Sequence, residues 1–504
     1  MSTTEPEQEM EAHHGAGHGS RSASATAEPQ SSEGKQLPQL LKKNVTRLPF
    51  LGHALSLKSK PVELLMEGRR QFGDMFALNL AGQMTAVFSG PRANEAFFRA
   101  SDEQFSAREA YQMMVPVFGK GVVYDSPPEI MDEQLGFVYP ALRDSRMRTY
   151  CNYFDEECER YFASWGREGT ADIYTTTNEL TVFIASRCLL GRDFRDNMSA
   201  HFAKLYHDLQ GGINLIAFFA PSLPIPAFRK RDKARAEIVR LCSQITADRR
   251  RTGAVEEDFI QTLMSARYKK QDRPLTDDEI TGLILALLFG GQHTSAVMTA
   301  WANIELLRHP HLRAPLIEEQ DQVMAGKKLM TMEDIRAMHK LERLLIETER
   351  MHPPLIMLMR KVMRDFHFDN YVVPKGWMAM VSPALSHRVP EVFKNPDQFD
   401  PDRFAPPRDE RKQATYTLIG FGGGKHRCIG MAFAYLQIRA IMSYMLRNFE
   451  MEMVSRDPAP DYSGFVVGPE QPCLVRYRRR SPLQVSVPGS KDAHSAAAAA
   501  SSPA

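Results

Sequence analysis

The strongest apolar pattern in the chain runs over residues 277–308, DDEITGLILALLFGGQHTSAVMTAWANIELLR. Thr276 and Glu279 form a capping box at its start, and His309-Pro310 closes its far end. At 1.5 Å per residue such a helix spans ~48 Å, enough to cross a whole domain. Its middle is unusual, because Gly290-Gly291 and Gln292-His293-Thr294 interrupt the apolar run. A glycine pair weakens a helix. The missing side chains therefore serve either a close helix crossing or a groove over a bound group. Residues 75–90 alternate around a glycine turn and predict a hairpin, and 371–385 is a second sheet candidate. Most of 140–350 has helical spacing. Ile429, Ala432, Phe433, Leu436 and Ala440 form one more helical face. The pattern predicts a mainly α chain with small β-sheets.

No Gly/Ser/Pro-rich break or internal repeat divides residues 36–485, which read as one domain. Residues 1–35 are polar and small and read as a disordered tail. His13, His14 and His18 within it read as solvated, and 486–504 reads as an Ala/Ser-rich tail. No apolar leader and no run of about 18 apolar residues stands out, so neither a signal peptide nor a membrane span is expected. The apolar share of 43% and charged share of 25% suit a globular protein, and a net charge of +2 implies no polyanion partner. Six scattered cysteines, at 151, 158, 188, 242, 428 and 473, form no CxxC pair and point to a reducing compartment without disulfides.

Candidate chemistry begins at FGGGKHRCIG, 421–430. A phosphate loop is excluded: with Gly424-Lys425 as its "GK", the first glycine falls on Ile419 and the Ser/Thr position on His426. The loop instead presents Cys428 ahead of an apolar helical face. An opening helix favours an anionic sulfur there. A small buried cysteine on a glycine-rich turn is the competing reading. In ETER, 347–350, Glu347 and Arg350 share a helix face at i, i+3, as an exposed ion pair would. FDPDRF, 399–404, supplies Arg403.

These elements together resemble the cytochrome P-450 monooxygenases: the long helix with G-G-x-x-T, then E-x-x-R, P-x-R-F and F-x-x-G-x-x-x-C-x-G, in that order. The chain is most similar to the sterol 14α-demethylase family. GQHTSA at 291–296 and PVFGKGVVYD at 116–125, with Tyr111 upstream, carry that likeness. Tyr111 stands five residues before Pro116, as in bacterial members. Leu135 takes the place of a lysine found in many eukaryotic members, and Ala296 that of a second serine.

The resemblance implies the cytochrome P-450 fold, with its long central helix over a buried haem b. It implies removal of a sterol 14α-methyl group by three successive oxidations with O2. Cys428 is the implied axial ligand of the iron, with Tyr111, Tyr124, Arg360 and His426 at the haem propionates. Thr294 and His293 would manage protons, Asp208 is the implied partner of His293, and Glu347, Arg350 and Arg403 form a structural network. The implied sterol pocket comprises Tyr111, Met113, Met114, Phe118, Val122, Phe289, Gly290, Leu355, Ile356, Met357, Met359, Val466 and Val467. Electrons would come from NAD(P)H through a ferredoxin-type donor, with Lys425 and Arg427 on the docking face. A cytoplasmic monomer without a transmembrane segment is expected, and contact of residues near 210–225 with a membrane surface stays open. A monooxygenase of the same fold acting on another terpenoid, a haem-thiolate isomerase or dehydratase, and a non-catalytic haem carrier are the alternatives.

Overall fold

The alternation over 75–90 becomes a hairpin. Strands β1 (Met75–Leu80) and β2 (Gln83–Phe88) pair antiparallel, Met75 opposite Phe88 and Leu80 opposite Gln83. Ala81 (φ +51°) and Gly82 (φ +86°) make the turn, the two positive φ angles a tight hairpin needs. The computed structural model describes residues 35–43, 51–197, 200–213, 217, 220–256 and 258–480. The tails expected at 1–35 (save Lys35) and 486–504 lie outside the described residues, as do 214–216, 218 and 219.

The hairpin is one edge of a five-stranded sheet. β5 (Met378–Val381) joins β2 in parallel, β4 (Leu358–Val362) pairs antiparallel with β5, and Phe105–Ser106 pairs with β4. The sheet candidate at 371–385 splits in two: Tyr371–Val373 pairs with Phe366–Phe368 in a separate hairpin, and β5 ends at Val381, because Ser382 accepts from the Leu385 N–H and starts a turn of helix at Pro383. A second sheet orders β6 (Phe449–Met453), β7 (Leu474–Arg479) and β3 (Glu168–Asp172).

Helices make up the rest of the core. Among them are α1 (Pro91–Arg99), α2 (Pro128–Val138), α3 (Asp144–Phe162), α4 (Ile173–Asn197), α5 (Ala200–Gln210), α6 (Pro226–Thr252), α7 (Asp277–Arg308), α8 (His339–Met351) and α9 (Met431–Asn448). α7 has the bounds its pattern predicts, and both bonds of its capping box form: Glu279 N–H to Thr276 Oγ1 at 3.2 Å, and Thr276 N–H to Glu279 Oε2 at 2.8 Å. It packs against α4, α6, α8 and α9, with Trp301 wholly buried and stacked on His352 at 3.9 Å. By length and hydropathy α7 would pass for a membrane span, which the search for an unbroken apolar run missed. Of its most apolar 18-residue window, 61% is buried inside the fold, so packing accounts for the composition. A helix surrounded by other helices is apolar on all sides.

Candidate functional site

α7 stays helical through Gly290 and Gly291, and a Cβ at either would meet nothing within 4 Å. The glycines therefore serve no helix crossing; they face open space. That space is a cavity of about 450 Å³. Met114, Phe118, Leu283, Phe289, Leu355 and Val466 supply apolar walls, and His293, Thr294 and Gln210 supply polar ones. A second cavity of about 360 Å³ holds Tyr111, Met359, Arg360 and His426. Tyr124, Leu135, Gly290, Thr294, Leu355, Phe421 and Cys428 line both. A third, of about 130 Å³, is lined by Tyr111, Met113, Ile356, Met357 and Met359, and shares Gly464 and Phe465 with the first.

Two expected pocket residues belong to the core instead. Val122 is 1% exposed and packs on α7 where Gly282 leaves room, since a Cβ there would lie 2.9 Å from its Cγ2. Val467 packs with Ile356 and Ala384, its N–H bonded to Pro354 O at 2.8 Å. Val466, in the bend before it, lines the cavity, while Val467 turns to that core. The sequence reading missed Leu283, Ala286 and Leu287. Their signal was present: they stand three to seven residues before Gly290, on the helical face that carries Gly290 and Thr294.

Cys428 is the exposed cysteine of the six, and it opens onto these cavities. Its N–H donates to Phe421 O at 2.9 Å, which closes the loop. Gly424 (φ +59°) lies so close to α1 that a Cβ would sit 2.3 Å from Phe98 O. The helix does not open at Cys428, as the sequence suggested, but at Met431 with Gly430 as its cap. Burial pushes the Cys428 thiol up, while the N–H groups of Gly430 and Met431 and the charge of Arg427 draw it down. Free N–H groups at a helix start aimed at a sulfur favour the thiolate.

Arg360, on β4, is 4% exposed; its guanidinium lies over the Phe97 ring at 4.8 Å and donates to Phe97 O at 3.2 Å. Among the described residues no carboxylate comes within ion-pair distance of it. Beside it Tyr111 and Tyr124 pair rings at 4.9 Å. Tyr111 Oη accepts from the Met359 N–H at 3.2 Å, and burial raises the pKa of both phenols. His426 bonds Asp102 through Nε2 at 2.5 Å, and Lys425 reaches Asp102 at 3.0 Å and Asp132 at 3.2 Å. Both expected docking cations are exposed, Lys425 with its ammonium paired to Asp102 and Asp132.

Thr294 Oγ1 donates to Gly290 O at 2.8 Å. His293, one residue earlier, lies against Phe289 with ring centres 6.2 Å apart. Asp208 is not its partner, because that carboxylate pairs with Lys204 at 3.3 Å. His207 and Gln210 carry α5's side of the contact instead: Gln210 Nε2 donates to Gln292 Oε1 at 3.2 Å, and His207 acts electrostatically on His293. Burial first and His207 second lower the His293 pKa to about 4. A histidine held neutral stabilises the fold above its unfolded pKa of about 6.5, and that contribution is lost as pH falls towards about 4. His293→Gln should therefore flatten the acid-side loss of stability in this window, read as urea midpoints across pH; an unchanged slope would show that other groups set it.

Beneath the loop Glu347 and Arg350 are wholly buried rather than solvated, and Arg403 is 1% exposed. Arg350 makes a two-point contact with Glu347 at 2.7 and 2.8 Å, and Arg403 Nε reaches Glu347 Oε1 at 3.1 Å. Glu410, absent from the sequence reading, closes the far side of Arg403 at 2.8 Å.

The "Cytochrome P450" family model matches residues 43–475. The chain is 40% identical to "Sterol 14-demethylase" of Arabidopsis thaliana over 89% of its own length and 93% of the relative's. It is 38% identical to "Sterol 14alpha-demethylase" of Mycobacterium bovis, covering 85% and 96% of the two chains. Against "Lanosterol 14-alpha demethylase" of Bos taurus it is 35% identical, covering 87% of each. Retinoic acid bound cyanobacterial CYP120A1 shares its fold with a TM-score of 0.78 at 23% identity, over 88% of this chain and all of that one. A sulfur loop under a glycine-notched helix, and likeness over nearly the whole described chain, agree: the chain belongs to the cytochrome P450 family, within its sterol 14-demethylase family.

Proposed function

We propose that this enzyme removes the 14α-methyl group of a sterol precursor, in three successive oxidations that end with loss of formate and a new ring double bond. Each oxidation uses one O2 and two electrons from a redox partner. The observation that carries the reading is the largely apolar cavity over Cys428, with Thr294 and His293 in its wall. Such a space suits a long rigid apolar body with few polar groups.

The residues present fit a haem. Among the described residues Arg360 is a buried cation without a counter-ion, and a buried charge needs a partner. A propionate would supply it, with the Tyr111 and Tyr124 hydroxyls as further donors. Cys428 presents its sulfur at the junction of the two cavities and would hold the iron. His426, held by Asp102, would add a donor at the rim. When bound, the haem supplies reductive activation of O2, favoured by electron donation from a thiolate.

The chain's own residues do the rest. The Cys428 thiolate is held by the Gly430 and Met431 N–H groups. Thr294 can turn its hydroxyl from Gly290 O towards the cavity and pass on a proton, and His293, neutral near pH 7, can accept one behind it. The apolar walls exclude water and hold the sterol with its methyl group towards Cys428. The small outer cavity beside Tyr111 and Phe465 supports entry from that side. An exposed Arg427 supports a small acidic electron donor of the ferredoxin type, and a cytoplasmic monomer fits the modest net charge.

An optical titration of the ferric protein with 14α-methyl sterols tests the proposal. A high-spin shift with one of them, followed by formate release on turnover, is the expected result. No shift with any sterol, in a protein whose reduced carbon monoxide complex has a thiolate spectrum, would overturn the substrate. Gly290→Ala bears on the same cavity. It should stabilise α7 by about 0.5–1 kcal/mol while raising the sterol concentration at half-maximal shift several-fold. A loss of stability would mean the glycine is needed for packing.

A further inference from the structure

Glu349 is the carboxylate of the 347–350 stretch that the ion-pair network leaves out. It is 4% exposed, on α8, and it lines the same cavity as Cys428. Tyr435, on α9, donates to its Oε2 at 2.5 Å. Its Oε1 is pressed against Gly420, where a Cβ would come within 2.3 Å of it, so only a glycine permits this approach. Among the described residues it has no ion-pair partner. A leucine or a glutamine would fill the site at less cost, since a buried carboxylate without a paired cation is unfavourable.

We propose that Glu349 is a redox-linked proton site: when the haem held by Cys428 takes up one electron from the redox partner, the Glu349 carboxylate takes up one proton from solvent. The proposal rests on Cys428 as the haem ligand. Ferric iron, a doubly negative macrocycle and a thiolate sum to zero charge, so the added electron leaves a net negative charge. That charge shares a cavity with the buried Glu349 carboxylate and favours its protonation. By linkage, protonation of Glu349 favours the reduced iron equally. One electron arrives at the iron, one O–H bond forms on Glu349, and no other bond changes.

The groups around Glu349 leave it poised for this. Tyr435 faces it from α9, and Arg439 and Glu342, paired with each other at 2.8 Å, act on Tyr435 in turn. Arg427 and Cys428 face it from the sulfur loop, and Arg411 from the turn at 410–413. His387, bonded to the Ile419 N–H at 2.8 Å, is kept neutral by burial and by Arg350 and Arg388. Burial raises the Glu349 pKa, Tyr435, Arg411, Arg427 and the Gly420 N–H lower it, and the balance lies at about 7.

The test is a potentiometric optical titration of the full-length holoenzyme at a series of pH values, with the reduced carbon monoxide complex checked at each. The ratio of reduced to oxidised protein at fixed potential should fall about tenfold as pH rises through about 7, as a charge across one low-dielectric cavity would produce. That is about 59 mV for a one-electron couple. Glu349→Gln should be flat across this range at the more easily reduced level. Tyr435→Phe should keep the slope but move it to higher pH, because the carboxylate loses its donor. A wild-type curve flat through neutral pH, or a Glu349→Gln curve that superimposes on the wild type, with the thiolate spectrum intact in either case, would overturn the proposal. Absence of a thiolate spectrum in the wild type would instead overturn Cys428 as ligand.

Discussion

Replacing Cys428 with alanine is expected to abolish the thiolate spectrum of the reduced carbon monoxide complex and all sterol oxidation, while leaving the haem-free fold within about 1 kcal/mol of the haem-free wild type. The sulfur is not a packing group. It opens onto the cavities, whereas Cys158 and Cys188 are buried among apolar neighbours on α3 and α4. The loop survives its removal, because the bond that closes it, Cys428 N–H to Phe421 O, belongs to the backbone. The Gly430 and Met431 N–H groups lose an anion but still face a cavity that water can enter. Cys158→Ala, by contrast, removes a wholly buried side chain and should lower stability without touching the spectrum. Haem-free urea midpoints and carbon monoxide spectra of the two variants, measured together, decide the matter. If Cys428→Ala unfolds as readily as Cys158→Ala, or keeps the thiolate band, the sulfur is structural and the site lies elsewhere.

Much of this site is legible in the sequence where function and local geometry coincide. α7 can be read end to end because its caps and its apolar run are both local. Gly290-Gly291 is legible as an oddity, but only the empty space around it separates a groove from a crossing. The misreadings are of another kind. Asp208 and His207 are neighbours in sequence, yet a step of one residue turns a helix by about 100°, so Asp208 meets Lys204 while His207 acts on His293. Val466 and Val467 are equally apolar, and only the path of the backbone sends one to the cavity and the other to the core. Tertiary contact also decided Val122, which fits against Gly282, a glycine with no signal beyond being inside a helix. Glu410 could not be found because its partner Arg403 is already accounted for in sequence by Glu347.

Glu347→Ala should cost about 3–5 kcal/mol, the range for stripping one partner from a buried ion pair. The variant leaves two guanidinium groups, Arg350 and Arg403, in a site where neither is more than 1% exposed. It also removes the acceptor of the Asp400 N–H, bonded at 2.8 Å. Neither arginine can escape to solvent, because the rest of each fork is fixed. Arg350 holds His387 O, Pro396 O and Gln398 O, and Arg403 holds Lys394 O and Gln398 O. Those carbonyls belong to the segment between α8 and the sulfur loop, so the loss should propagate to the loop. Glu347→Gln restores an acceptor but not the charge, and should recover only a minor part of the cost. Glu410→Gln leaves Arg403 its bond to Glu347 at 3.1 Å and should cost less than Glu347→Ala. Urea unfolding followed by both far-ultraviolet dichroism and haem absorbance measures the effect. The haem signal of Glu347→Ala should be lost at or before the helical signal, with the midpoint well below that of the wild type. A cost under about 1 kcal/mol would place this network with exposed ion pairs, and its buried arginines would then need another source of compensation.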